Sequence, residues 1–350
     1  MTKKKFAKKT ARISALGEAG LIRRFRTKCT YSSREIIKGI GDDAAAIRRR
    51  GGTMLITSDM LLEGVHFDLS FTSFYQLGYK ALAVNISDIF AMGGIPKYFL
   101  LNLGIPKYYK TEYINELYSG VLKIAGKFGI SVVGGDTCES TSGLVLSGTL
   151  IGNADKIIAR SGARPGDGIF VSSTLGDSAM GLLLSRELGK KIYFERQVMK
   201  DKGRRINVKG CSLKLTDSLL SLIRKHLMPE PAPLKKTPGI TSMIDLSDGL
   251  LMDLSHICDE SKVGAVVYRD KLPVSRDLAG AARDLAVDVV EFALRGGEDY
   301  TLLFTAAPGI KTKAVNIGEI IKKGRFLVDE KGRKSPFKAE GYEHFKNKNF

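Results

Sequence analysis

Acidic residues recur at one kind of place along this chain: just after an apolar run, beside glycine or serine. Asp42 and Asp43 stand in GIGDDAAAI, Asp59 closes TSD, Asp88 closes NISD, Asp136 closes GGD, Asp245 and Asp248 lie in IDLSD, and Glu298 and Asp299 close GGED. A carboxylate at the end of an apolar strand is costly to ionise unless a cation meets it. Neighbouring carboxylates raise that cost further. Several such ends brought together make a cage for hard cations. Magnesium suits it, because it takes oxygen ligands octahedrally and reaches proteins through a few carboxylates plus substrate phosphates. Glycines beside the acids let backbone N–H groups approach phosphate oxygens. The outline is a phosphoryl-transfer site built on positioning and electrostatics. Each motif alone is also a common turn or helix cap. Ser247 or Asp248 is placed to cap the helix that follows, and Asp42 to hold the turn behind Asp43.

What is missing narrows the architecture. The chain has no G-x-x-x-x-G-K-[ST] loop, no G-x-G-x-x-G opening a helix after a strand, and no protein-kinase H-R-D or D-F-G set. A nucleotide must therefore be held by another framework. His66, in EGVHFDL, is a lone histidine that could equally be a core or solvated side chain.

The elements that must position these residues alternate between strand and helix. A short helix is expected in GEAGLIRRFR, and a strand near Met54 to Thr57 that ends at Ser58 and Asp59. A helix runs through TSFYQLGYKALAVNISDIFAMGG, capped by Thr72 or Ser73 and closed near Gly93. On it Asn85 and Asp88 share a face. KYFLLNLGIP alternates as a strand, TEYINELYSGVLKIAGKFG is an amphipathic helix stopped by Gly129, and ISVVGGDTCES reads as a buried strand breaking at Gly134-Gly135-Asp136. GLVLSGTLIGNA is a further strand, and glycine and proline then cluster near ARSGARPGDGIF. The second half repeats the logic, with strands in GIFVSST, ITSMIDLSD, VGAVVYRD and YTLLFTAA, helices in GDSAMGLLLSREL and after IDLSD, and a hairpin in FLVDEKGRKSP. The charged stretch from Gly189 to Pro238 reads as helix and loops. The expected class is α/β (mixed α+β), in two domains: 17–157 and 158–350, after a basic flexible tail at 1–16.

At 350 residues, with 43% hydrophobic composition and 38 glycines, the chain is a folded protein with many turns. Cys29, Cys138, Cys211 and Cys258 are far apart, so neither a disulfide framework nor a structural zinc site is expected, and a reducing cytoplasm is the simplest location. No apolar run is long enough to cross a bilayer. The formal charge of +18 is scattered rather than gathered into a patch, and no nucleic-acid-binding signature accompanies it. Attraction of anionic substrates explains it without a nucleic-acid partner.

Taken in order, GIGDDAAAI, TSDMLLEGVHFDL, YKALAVNISDIFAMGGIP, VVGGDTCES, ARSGARPGDGIFVSSTLGDSAMGL, IDLSDGLLMDL, RGGEDYTLLF and GYEHF resemble the thiamine-monophosphate kinase family, within the aminoimidazole-ribonucleotide-synthetase-like superfamily. The resemblance spans roughly Gly17 to Phe345. It implies two α/β domains without a P-loop, a homodimer formed through the N-terminal one, and ATP-dependent phosphorylation of thiamine monophosphate. That reaction is the last step of thiamine diphosphate biosynthesis, by direct in-line transfer assisted by several Mg2+ ions. By motif, it implies that Asp43, Thr57, Ser58, Asp59, Asp88, Asp136, Asp245 and Asp248 supply magnesium ligands. Tyr118, Gly135, Asp136, Arg160 and Ser247 would contact ATP, and His66, Glu298 and Tyr342 the thiamine phosphate. Arg160 suits that role because a guanidinium grips phosphate oxygens bidentately. No general base stands out, and an ionised phosphate acceptor needs none. TSD where TTD is commoner, and Cys138 after GGDT, are small departures from the family pattern. Relatives with other chemistry carry a reactive cysteine that Cys29 does not resemble.

Overall fold

Local sequence rules account well for the first half of the molecule. The computed structural model describes residues 13–29, 33–194, 202–208, 210–234 and 238–345. Elements run in the order α1 (Ile13–Lys28), β1 (Ile36–Lys38), β2 (Ala45–Arg49), β3 (Gly52–Leu62), α2 (Phe74–Ala91), β4 (Ile95–Ile105), α3 (Thr111–Phe128), β5 (Ser131–Gly134), β6 (Thr137–Glu139) and β7 (Val145–Ala154). These strands form one sheet ordered β1-β2-β3-β7-β4-β5, with β6 also pairing β4. Most of the tail, residues 1–12, lies outside the described residues, and α1 takes up its last positions.

Strand β3 does not stop at Asp59 as the sequence suggested. It continues to Leu62 because β7 pairs with it along its length, Asp59 standing opposite Gly148. Period-two alternation sends Thr53, Leu55, Thr57 and Leu61 to the buried face. Asp59 shares that face, and Ser58 points the other way. Between Thr72 and Ser73, the cap of α2 is Ser73, whose hydroxyl accepts from the Gln76 N–H while Gln76 returns a bond to the Ser73 N–H. Gly129 closes α3 in the left-handed conformation at φ 65°.

Helix α2 is buried on nearly every side, polar Lys80, Asn85 and Ser87 included. It meets α3 backbone to backbone. A Cβ at Gly78 would stand 1.9 Å from the Leu117 carbonyl oxygen, and one at Gly120 1.9 Å from that of Tyr75. The two glycines are reciprocal notches that key one helix into the other.

The second half holds β8 (Gly168–Val171), α4 (Asp177–Leu188), β9 (Arg205–Val208), β10 (Cys211–Lys214), α5 (Asp217–Leu227), β11 (Ile240–Asp245), α6 (Leu250–Ser261), β12 (Gly264–Tyr268), α7 (Arg276–Asp284), α8 (Val289–Arg295), β13 (Leu302–Ala306), β14 (Val315–Ile321), β15 (Arg325–Val328) and β16 (Lys334–Pro336). Its sheet is ordered β11-β13-β8-β14-β12-β15-β16. Strand–helix alternation gives layers of sheet and helix, but the pairing is mostly antiparallel. Among the described pairs only β4–β5, β4–β6 and β12–β15 are parallel.

Three expectations need correction. The stretch from Gly189 to Pro238 contains the β9–β10 hairpin besides α5, closed at Gly210 with φ 85°. Strand β5 is an exposed edge rather than a buried strand: it ends the sheet, and among the described residues no further strand pairs beyond it, leaving Val133 open. Helices α7 and α8 and strand β14 lie in segments where no element was anticipated.

Candidate active site

The two halves meet along the carboxylates. Oxygens of Asp43, Asp88 and Asp245 all lie within 4.8 Å of one another, although the first two come from the N-terminal half and the third from the end of β11. Asp59 joins them, near enough that after burial its charge is the first to raise the Asp88 carboxyl. The Thr57 hydroxyl donates to Asp88 at 2.5 Å, and the Ser87 hydroxyl donates to Asp245 at 2.7 Å. Burial is the main cause of every shift here, with neighbouring aspartates adding to it. Asp59 is pushed up to about 6 and Asp245 to about 7, and Asp43 and Asp88 are raised as well.

One cation faces this cluster directly among the described residues. The Arg160 guanidinium donates through Nε at 3.2 Å and a terminal nitrogen at 2.6 Å, both to Oδ1 of Asp43. Asp42 stands behind, accepting from the Arg160 and Asp43 backbone N–H groups at 3.1 and 3.3 Å. It therefore holds the turn that presents its neighbour. Oδ2 of Asp43 and Oδ2 of Asp59 are buried with no hydrogen-bond partner. Buried carboxylate oxygens without donors, in a cluster of four acids and one arginine, are what a hard divalent cation would satisfy. The residues present fit magnesium.

Asp248 lies on the loop that follows β11, and burial pushes its carboxyl up to about 7. It does not cap α6, and neither does Ser247. Asp253, one turn into the helix, reaches back and accepts from the Asp248 and Gly249 N–H groups at 3.1 Å each. The Asp248 carboxylate is thereby left for other work. Asp253 and His256 sit with it, ligand atoms within 4.8 Å. Neither was singled out in the sequence, and their i, i+3 spacing on one helix was the available signal.

The three residues assigned to the acceptor also converge. His66 feels the charges of Glu298 and Lys80, and Tyr342 those of Asp248 and Glu298. Glu298 is held on both oxygens, by Lys80 Nζ at 2.7 Å and His226 Nδ1 at 3.2 Å. Burial alone would raise its carboxyl, but Lys80 and then His226 hold it well below the usual range. Its backbone stands at φ 64° and that of Tyr300 at φ 47°, a left-handed conformation that side chains avoid. Strain of this kind gathers where a fold must aim a group. Lys80 and His226 went unnoticed in the sequence, since a lysine in an amphipathic helix usually faces solvent.

Other assigned residues stand apart from this cluster. Gly135 and Asp136 lie on the exposed turn between β5 and β6. Strands β7 and β4 separate that edge from β3, a gap of about 14 Å at ordinary strand spacing. Gly135 is required there by close approach: at φ 150°, its Cβ would lie 1.9 Å from the Leu101 carbonyl oxygen. The Ser58 hydroxyl bonds Gly148 O and Thr149 Oγ1, away from the carboxylates. Tyr118 packs on the core from α3. The Ser247 carbonyl accepts from the Glu298 N–H at 2.8 Å, tying the two loops together. Asp299 caps α4, accepting from the Gly176 and Ser178 N–H groups.

Comparison with known proteins gives the family. The family profile for the AIR synthase related protein, N-terminal domain, matches residues 41–154, and that for its C-terminal domain matches 164–329. The thiamine-monophosphate kinase of Aquifex aeolicus is 36% identical over 84% of this chain and 87% of its own. That of Bacillus subtilis is 34% identical over 88% and 93%. The solved structure of AaThiL complexed with AMPPCP and TMP superposes with a TM-score of 0.79 at 31% identity, covering 96% of this chain and 99% of that one. The chain belongs to the thiamine-monophosphate kinase family.

Proposed function

We propose that this protein transfers the γ-phosphoryl group of ATP to thiamine monophosphate, giving thiamine diphosphate and ADP. The observation that carries the reading is the meeting of Asp43, Asp59, Asp88 and Asp245, two of them with orphaned oxygens, beside the group of His66, Glu298 and Tyr342. Asp43, Asp59, Asp88 and Asp245, with Thr57 and Asp248 at the margin, are the residues that would hold magnesium. Bound there, the ion would offset the crowded negative charge and that of the phosphates during an in-line displacement.

The chain's own groups do the rest by position. Arg160 holds Asp43 and carries positive charge into the same space, where phosphate oxygens would meet it. Glu298, kept ionised by Lys80 and His226, offers a fixed negative charge to a cationic thiazolium. His66 is neutral, its imidazole lowered to about 4 by burial and then by the His344 ring. Tyr342 offers a half-exposed ring to a flat heteroaromatic group. No side chain need remove a proton, because a phosphate acceptor is already ionised.

The finer reading adds several Mg2+ ions, contributions from Asp136, Gly135, Ser58, Tyr118 and Ser247 to metal or ATP binding, and a homodimer. Ile95, Tyr98 and Val133 are exposed along β4 and β5, on the same sheet edge that leads to Asp136, as a surface awaiting a second copy would be. We place the domain division near residues 157 and 158, and the protein in the cytoplasm. The described cysteines are free thiols, and no described helix is long and apolar enough to cross a membrane. A coupled ADP-release assay with thiamine, thiamine monophosphate and an aminoimidazole ribonucleotide precursor tests the acceptor. Turnover with the monophosphate alone is expected, and preference for either other acceptor would sink the reading. Light scattering of the purified protein tests the dimer.

A further inference from the structure

His66 is not alone. Its Nδ1 accepts from the Leu62 N–H at 3.0 Å, so in the neutral ring the proton sits on Nε2. That Nε2 lies 3.2 Å from Nε2 of His344, 278 positions further along the chain. With the proton on the His66 side, His344 must accept there, which leaves its own proton on Nδ1. Nδ1 in turn lies 3.3 Å from the Tyr342 hydroxyl. One direction of donation runs through all three side chains: Leu62 N–H to His66, His66 to His344, His344 to Tyr342. The rings follow the same path, His66 and His344 tilted at 5.0 Å between centroids and His344 edge-on to Tyr342 at 4.9 Å.

The backbone of this segment is fixed separately. The Tyr342 N–H donates to the Asp248 carbonyl at 3.0 Å, and Gly341 packs so closely on that carbonyl that a Cβ would lie 2.3 Å from it. Main-chain contacts thus deliver Tyr342 to the margin of the carboxylates, but its ring, 44% exposed, could still turn. His344 is what links that ring to the opposite half of the molecule.

We propose that His344 is a positioning residue for the acceptor: it locks His66 and Tyr342 into one aromatic corner that receives the flat, cationic heteroaromatic head of the substrate. This rests on the reading of the acceptor given above. His344 acts through its two neighbours and takes no part in the transfer. Its effect should therefore fall on acceptor affinity and leave ATP untouched. Leaving both the His66 and Tyr342 rings to be ordered on binding rather than beforehand weakens binding by roughly tenfold.

The test compares wild type, His344→Ala and His344→Gln in steady-state kinetics. His344→Ala is expected to raise KM for thiamine monophosphate about tenfold, with kcat and KM for ATP within about twofold of wild type. His344→Gln, whose amide oxygen can accept from His66 Nε2, should recover most of the loss. Nitrogen-15 NMR of the free protein reads the linkage without substrate: Leu62 keeps the His66 proton on Nε2 in every variant, but that proton should be protected from solvent exchange in wild type and His344→Gln and exchange rapidly in His344→Ala. An unchanged KM in His344→Ala would overturn the proposal, as would equal losses for both substrates or a fall confined to kcat. A wild-type protein inactive on thiamine monophosphate would overturn the proposed function itself, and that failure appears before any variant is made.

Discussion

Replacing Asp245 by asparagine should stabilise the protein in the absence of metal while abolishing its turnover. Asp245 is 2% exposed, and burial, followed by the charge of Asp43, lifts its carboxyl from 3.8 to about 7. A shift of about three units corresponds to ~4 kcal/mol at 1.36 kcal/mol per unit. Because the folded value is the higher one, this penalty is absent below 3.8 and complete above about 7, so a metal-free protein bears it in full at pH 8. Asparagine has the same shape, and the Ser87 hydroxyl, 2.7 Å from the carboxylate, can donate to an amide oxygen as readily. Some of the gain is returned, since the asparagine NH2 must itself be buried; the attraction of Arg160 is already contained in the value of about 7. A net gain of ~3 kcal/mol, set against an unfolding entropy of about 2 cal/mol/K per residue, raises Tm by roughly 4 °C for a chain of this length. Differential scanning calorimetry at pH 8 in EDTA reads this directly. Wild type should then climb on adding Mg2+, and Asp245→Asn should barely respond. Lowering the pH toward 4 should close the gap between the two metal-free proteins. If Asp245→Asn melted below wild type in EDTA at pH 8, the crowding of carboxylates would not be the strain inferred here.

Arg160→Ala removes the partner of a buried carboxylate, so metal-free stability measured by urea unfolding should fall by roughly 3 kcal/mol, and Mg2+ should restore part of it. Lys80→Met leaves Glu298 with only His226 against burial, which raises its carboxyl; KM for thiamine monophosphate should then rise as pH is lowered from 8 to 6, a slope absent from wild type. Gly120→Ala puts a Cβ 1.9 Å from the Tyr75 carbonyl oxygen. Overpacking against backbone should cost ~3 kcal/mol or more, seen as loss of soluble protein or a lowered urea midpoint, whereas Gly126→Ala on the same helix, with open space around it, should be neutral.

Much of this was legible because strand ends and caps follow local rules. Ser73, Gly129 and the aspartates after β11 announce themselves by type and spacing. The elements that escaped notice depend on partners far away in the chain. Strand β3 outran its expected end because β7 supplies pairing that no local signal encodes, and β5 looked buried because an apolar VV pair cannot say which edge of a sheet it will occupy. Asp253 usurped a capping role that sequence assigns to the residue before the helix. His66 seemed isolated because the residue it touches is 278 positions distant, a separation at which no periodicity speaks. Lys80 was hidden because a helical lysine is expected at the solvent face, and α2 has both faces covered.

Helix α2 also fixes a length. Two contacts pin it to the second half: Lys80 to Glu298 and Ser87 to Asp245. Seven residues separate them along one face, which is roughly 10 Å of helix rise. The notches at Gly78 and Gly120 leave it no freedom to slide along its axis. A molecule that touches Glu298 at one end and presents an oxygen to the carboxylates at the other must span that interval. The helix is thus a gauge rod, accepting molecules by reach before any single contact judges their chemistry.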